Sequence, residues 1–436
     1  MLPIAALSLT LVTVASAPPR LQDRADYLGD PVNYDAPERE DPVARLLEAI
    51  AIGEAELEWD EKRGWLPALL AAFDVEPSSQ VLVFSKTSFQ SSRISPSTPR
   101  ALYFGERAYV GWIPGAPMME ITAIDPLQGP TFYALEQEPG EPIFTRLDNE
   151  CLQCHGSSRT RHWPGNLVRS VHPNPRGFPI LRSGTHLTTH ASPLEERWGG
   201  WYVTGTHGEQ RHMGNTTVAE VDRAYSRGDE ERVDTSAGAN ITDLSRFFNV
   251  SSYLTPHSDL VALMVMEHQA EMHNLIARAS YQGRITTAYQ ANMNEILDQP
   301  ADHVSESTQR RYARAAQDLV DHLLFRDEAQ LAEPIAGTST FTVDFAKDVP
   351  RDPRGRSLYD FDLKTRLFAY PCSYLIYGEG FDRLPAPVLA VIWAELWAIL
   401  HGEEVSREFP HLSAEDRANI LAILLETKDG LPANWR

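Results

Sequence analysis

Apolar positions fall first at helical and then at strand spacing along the front third of the chain. Val43, Leu46, Leu47, Ile50 and Ile52 recur at roughly helical intervals, and Trp65, Leu66, Leu69 and Leu70 follow a glycine, so 41–73 reads as helical. From Val81 the rhythm changes. The runs 81–84, 101–104, 108–113, 119–124 and 131–135 are short, rich in β-branched and aromatic residues, and separated by Pro or Gly. They predict an antiparallel sheet of about five strands. Residues 146–215 break both rhythms with Pro, Gly, Arg, His and Trp, leaving one further strand candidate at 201–205. Beyond 216 helical spacing returns, and helices are expected at 258–280, 307–331, 387–401 and 413–427.

Strands followed by helices predict an α+β fold. Its N-terminal antiparallel sheet region, with about five short strands, spans 18–145. A Pro/Gly/His-rich segment spans 146–215, and a mainly α-helical C-terminal half spans 216–436. Residues 1–17, MLPIAALSLTLVTVASA, form an uncharged apolar run ending in small residues. They read as a secretory signal, too short for a spanning helix, so a periplasmic or otherwise exported protein is expected. Its n-region lacks Lys and Arg, and an uncleaved N-terminus is the alternative. No other transmembrane anchor is expected.

Charge and cysteine count narrow the function. The chain carries 39 basic and 60 acidic residues, a net charge of −21, which speaks against nucleic acid as a partner. Three cysteines among 436 residues cannot make a disulfide framework. Two of them stand in Cys151-Leu-Gln-Cys154-His155, a C-x-x-C-H run. Two thiols at that spacing reach the two vinyl groups of one haem, and the adjacent imidazole can ligate its iron.

On this motif the chain resembles c-type cytochromes, over these five residues and little more. The resemblance implies one covalent haem c on Cys151 and Cys154, with His155 as the proximal iron ligand. It also implies electron transfer with a redox partner protein. Zinc held by the same thiols with His186 and His190, or with His207 and His212, is a rival reading, and a thioredoxin-like dithiol is another. Cys372 reads as a buried thiol.

The second axial ligand is sought in the same segment, which holds seven of the 14 histidines. His212 and Met213 are the first candidates, and His190, His207, His268 and His273 are the others. An open distal site would instead suit a haem enzyme of peroxidase-like type or a haem-based sensor, and whether the protein is an enzyme stays open. Residues 146–213 carry eight arginines, no lysine and five acids, so Arg159, Arg161 and Arg169 are candidates for the haem propionates. Trp163, Trp198 and Trp201 are candidate haem walls. The acid-free run between Glu76 and Glu106, with Lys86, Arg93 and Arg100, reads as a loop. Finally, Glu267, Glu271, Asp318 and His322 fall on two expected helices at spacings that suit a second metal.

Overall fold

The computed structural model describes residues 27–218, 233–403 and 407–435. The expected signal at 1–17 lies outside them. The fold is α+β: a seven-stranded antiparallel sheet, then a mainly helical half. The strands are β1 Val81–Val83, β2 Arg100–Phe104, β3 Ala108–Trp112, β4 Met118–Asp125, β5 Gly129–Glu136, β6 Phe144–Arg146 and β7 Trp201–Tyr202. Their order is β6-β5-β4-β3-β2-β1-β7. The five expected strands are all present, joined by β6 and by β7, which pairs Leu82 with Tyr202 and Val83 with Trp201. Only the start of the 201–205 run joins this sheet, because Gly205–Thr206 pairs instead with Ala336–Gly337.

The two-residue strand period gives the sheet two chemically distinct faces. Leu82, Ala101, Tyr103, Val110, Trp112, Met119, Ile121 and Ala123 point to one side. There they pack with helices α1 (Pro42–Ala51) and α2 (Leu66–Ala72) and with Leu244, Phe248 and Tyr253. One oxygen of Asp41 caps α1 by accepting from Val43 and Ala44 N–H, and the other accepts from Tyr133 Oη at 2.6 Å. That cap therefore also ties α1 to β5. The other face, carrying Val83, Arg100, Leu102, Tyr109, Gly111, Glu120, Thr122 and Phe132, turns toward a cavity.

The helical half is built on α4 (Leu260–Ile296), against which α5 (Glu306–Leu323), α6 (Ala386–Leu400) and α7 (Ala414–Thr427) complete one hydrophobic core. Residues 260–266 are apolar on every side, as a helix surrounded by protein requires. Asp259 caps α4 through Val261 and Ala262 N–H, and its second oxygen accepts from Thr338 and Ser339 N–H. The helix runs 16 residues past the expected end at Ser280. Past that point its buried positions include polar Gln290 and Asn294. They bond each other, while Gln290 also accepts from Ser305 and Thr308 at the start of α5. A polar network thus continues a helix whose apolar stripe has ended. No helix among the described residues is long and apolar enough to cross a membrane.

Candidate functional site

Cys151, Cys154 and His155 lie on α3 (Asp148–His155), a two-turn helix directly after β6. Its approach is fixed by Leu147 N–H donating to Phe132 O at 2.9 Å, which hangs α3 from β5. Positions three and four apart share a helix face, so both thiols and the imidazole reach one cavity. No disulfide forms among the three cysteines. Cys372 is fully buried in the helical core, and burial pushes its thiol pKa up.

The cavity measures about 280 Å³. Its walls are the second sheet face, α3, Met266 and Ala270 of α4, residues 87–89 and 166–169, and Trp201. Two features shape it. Gly111 lies under the Arg100 guanidinium, where a Cβ would sit 2.2 Å from Nη2, so glycine lets Arg100 cross the strand to Glu120. That ion pair spans 2.6 Å. Trp201 is fixed by its indole N–H, which donates to Arg169 O at 2.7 Å.

His155 is held by a chain of contacts that begins on α4. Its Nδ1–H donates to Gly165 O at 2.8 Å, while its own carbonyl accepts from Gly165 N–H at 2.9 Å. The next residue is clamped in turn: Asn274 Oδ1 accepts from Asn166 N–H at 2.7 Å, and Asn274 Nδ2 donates to Asn166 O at 2.9 Å. A Cβ on Gly165 would stand 2.8 Å from Asn274 Oδ1, so glycine is required there. A carbonyl only accepts, which puts the imidazole proton on Nδ1 and leaves the Nε2 lone pair for a metal. Burial lowers the His155 pKa below its ordinary value.

The remaining candidates divide. Arg159 and Arg169 line the cavity, and burial, with Arg159 alongside, lowers the Arg169 pKa. Arg161 points elsewhere, pairing with Asp318 at 2.8 Å. Trp201 is a wall, but Trp163 packs with Tyr27 and Tyr281, and Trp198 packs against His212. His212 and Met213 are both buried away from the cavity lining. His212 Nδ1 accepts from Gly214 N–H at 3.0 Å, and burial, with His207 and Arg211 near, lowers its pKa to about 3. Met213 Sδ accepts from Ser170 Oγ–H at 3.5 Å. The methionine that does line the cavity is Met266. His273 binds Tyr109 Oη at 3.0 Å.

Neither non-haem metal arrangement expected from the sequence assembles. Glu267 pairs with Arg197, Glu271 accepts from Asn274, and Asp318 is taken by Arg161 and Arg278, so arginine and amide partners occupy the carboxylates. His186 pairs with Glu196, and His207 meets His212 edge-on, which leaves the two α3 thiols with no second histidine pair. Among the described residues the one cluster with metal-ligand spacing is His190, His268 and His322.

Sequence reasoning missed Met266, Glu120, Gly165 and Asn274. Only Gly165 left a mark, the Pro164-Gly165 turn dipeptide. No family model matches the chain, and no curated protein and no solved structure matches it.

Proposed function

We propose that the protein is an exported c-type haem protein that carries one electron at a time between partner proteins. Its haem would be covalently held by Cys151 and Cys154 and ligated by His155. The observation that carries this reading is the His155 Nδ1–Gly165 O bond beside two thiols on one cavity wall. Such an outer hydrogen bond fixes the tautomer and orientation of a metal-binding imidazole and raises its basicity. Bound there, a haem supplies a one-electron iron couple.

The chain's own residues then have separate tasks. Cys151 and Cys154 anchor, and His155 ligates. Arg159 and Arg169 offer guanidinium groups to propionates. Val83, Leu102, Phe132, Val168 and Trp201 exclude water from the cavity. Met266 is the soft thioether within the lining and would be the second protein donor to the iron. The Arg100–Glu120 pair favours a second reading, because it sets a guanidinium and a carboxylate over the same cavity, as a peroxidase-like open site would use them.

Expression with a cytochrome c maturation system tests the proposal. The expected result is a Soret band and a chain mass raised by one haem, both lost in Cys151→Ala/Cys154→Ala. Wild-type chain of unmodified mass and without a Soret band would refute haem attachment. Slow CO binding that becomes fast in Met266→Ala supports the six-coordinate carrier, whereas fast binding in the wild type favours the open site.

A further inference from the structure

We propose that His190, His268 and His322 form a second metal site, distinct from the cavity beside α3, that takes a borderline first-row transition-metal ion such as zinc or copper. Three separate segments bring these imidazoles together. His190 lies in the loop before Ser192, His268 lies in the middle of α4, and His322 lies in the last turn of α5. All three are buried, and one ring nitrogen from each lies within 4.8 Å of the others.

The outer hydrogen bonds place the protons on two of the three rings. His190 Nε2–H donates to Arg326 O at 3.2 Å, and His322 Nε2–H donates to His268 O at 3.2 Å. Carbonyls only accept, so in both neutral rings Nδ1 is the nitrogen with the lone pair. His268 Nε2 stands 2.7 Å from Ser373 Oγ, the kind of outer partner that a ligating imidazole keeps. Without an ion, Ser373 Oγ–H donates to Nε2 and His268 Nδ1–H donates to the His190 Nδ1 lone pair at 2.9 Å. A metal ion replaces that shared proton: turning the hydroxyl so that His268 Nε2–H donates to Ser373 leaves both Nδ1 lone pairs for the ion.

The surroundings fit a metal. Phe325 stacks on the His268 ring with centroids 4.1 Å apart and on His190 at 5.0 Å, so an apolar wall closes the cluster. The neighbouring carboxylate of Glu267 is engaged by Arg197 at 3.0 Å, which leaves three neutral nitrogens as the donor set. Imidazole donors suit zinc, copper and nickel and discriminate against magnesium and calcium. Metal–nitrogen bonds of about 2.0–2.1 Å require the farthest nitrogens to draw together by roughly 1–2 Å, and the His322 ring, stacked on His190 with centroids 4.0 Å apart, to turn its Nδ1 edge inward. Three protein ligands also leave a fourth coordination position.

The test uses the full chain, stripped with chelator and dialysed separately against Zn²⁺, Co²⁺ and Cu²⁺. The expected result is one added metal per chain by elemental analysis, with X-ray absorption showing three imidazole ligands. Ser373→Ala should weaken binding about tenfold or more, and His322→Gln should abolish stoichiometric binding. Cys151→Ala/Cys154→Ala should bind the added metal like the wild type, so loss of the haem reading leaves this one testable. Substoichiometric uptake of all three ions by folded wild type would overturn the proposal. So would an absorption spectrum without three imidazoles, a measurement that needs no variant to fold.

Discussion

Replacing Asn274 with Leu removes the clamp that positions the carbonyl partner of His155. The side chain satisfies both backbone groups of buried Asn166, at 2.7 and 2.9 Å, and also donates to Glu271 at 3.0 Å. Leu is close in size but offers none of these bonds. A buried backbone group left unpaired costs about 1–3 kcal/mol. With two such groups orphaned, Asn274→Leu should lower stability by about 2–6 kcal/mol. Urea unfolding followed by tryptophan fluorescence measures this directly. Asn274→Asp keeps the acceptor for Asn166 N–H and loses the donor, so it should fall between Leu and wild type. In haem-loaded protein a looser Gly165 carbonyl weakens the Nδ1–H bond of His155. The imidazole becomes a poorer donor to iron, and the reduction potential should rise. If Asn274→Leu is as stable as wild type, the clamp is not under tension and the support argued for His155 fails. If stability falls while the potential stays fixed, the clamp serves the fold alone.

Three further outcomes are expected. Burial raises the Glu328 pKa from 4.5 to about 7, so its contribution favours folding below pH 4.5 and is lost as pH rises through about 7. Glu328→Gln should therefore be more stable than wild type by about 3 kcal/mol at pH 8 and equal to it near pH 4.5, and a gain that does not vary with pH in urea unfolding would count against this. Gly129 has φ +64°, and a Cβ there would meet the Ala277 Cβ at 2.4 Å; Gly129→Ala should cost about 1–3 kcal/mol in thermal melts, and an unchanged melting temperature would contradict the close approach of α4 to β5. Asp259→Ala strips the α4 cap and two further N–H partners and should cost about 3 kcal/mol, with a loss under about 1 kcal/mol showing that solvent replaces the carboxylate.

What was legible in the sequence follows range of interaction. Strands β1 to β5 declared themselves because Val, Ile, Phe, Tyr and Trp alternate over short runs. Strand β7 was half legible: Trp201 and Tyr202 pair with β1, but the choice between β1 and Ala336–Gly337 for the following residues is a tertiary contact. The end of α4 was misplaced because Gln290 and Asn294 look solvated until their partners on α5 are known. The C-x-x-C-H motif was readable since its spacing is local. Its surroundings were not: Met266 sits in an unbroken apolar run, and Asn274 is one amide among many. His322 was grouped with Asp318 by helical spacing, yet Asp318 turns to Arg161 and Arg278 while His322 turns to His190 and His268.

Helix α4 shows why these groupings went astray. Met266, Ala270 and Asn274 follow each other at four-residue steps and form one stripe, facing the cavity and the loop that holds His155. His268 is two residues from both Met266 and Ala270, about 200° around the axis, and so lies on the opposite side. Grouping Glu267 with Glu271 takes a row one position round from Met266 and Ala270 and so includes neither stripe. One rigid helix therefore separates the cavity beside Cys151 and Cys154 from the three-histidine cluster while fixing the position of both. Substitutions on one stripe remove side chains that point away from the other, because the two lie on opposite sides of the helix. The long helical half thereby acquires a structural reason to exist beside a single C-x-x-C-H motif. It carries the back wall of the cavity and the support for His155, and on its far side it builds the three-histidine cluster that alone has metal-ligand spacing among the described residues.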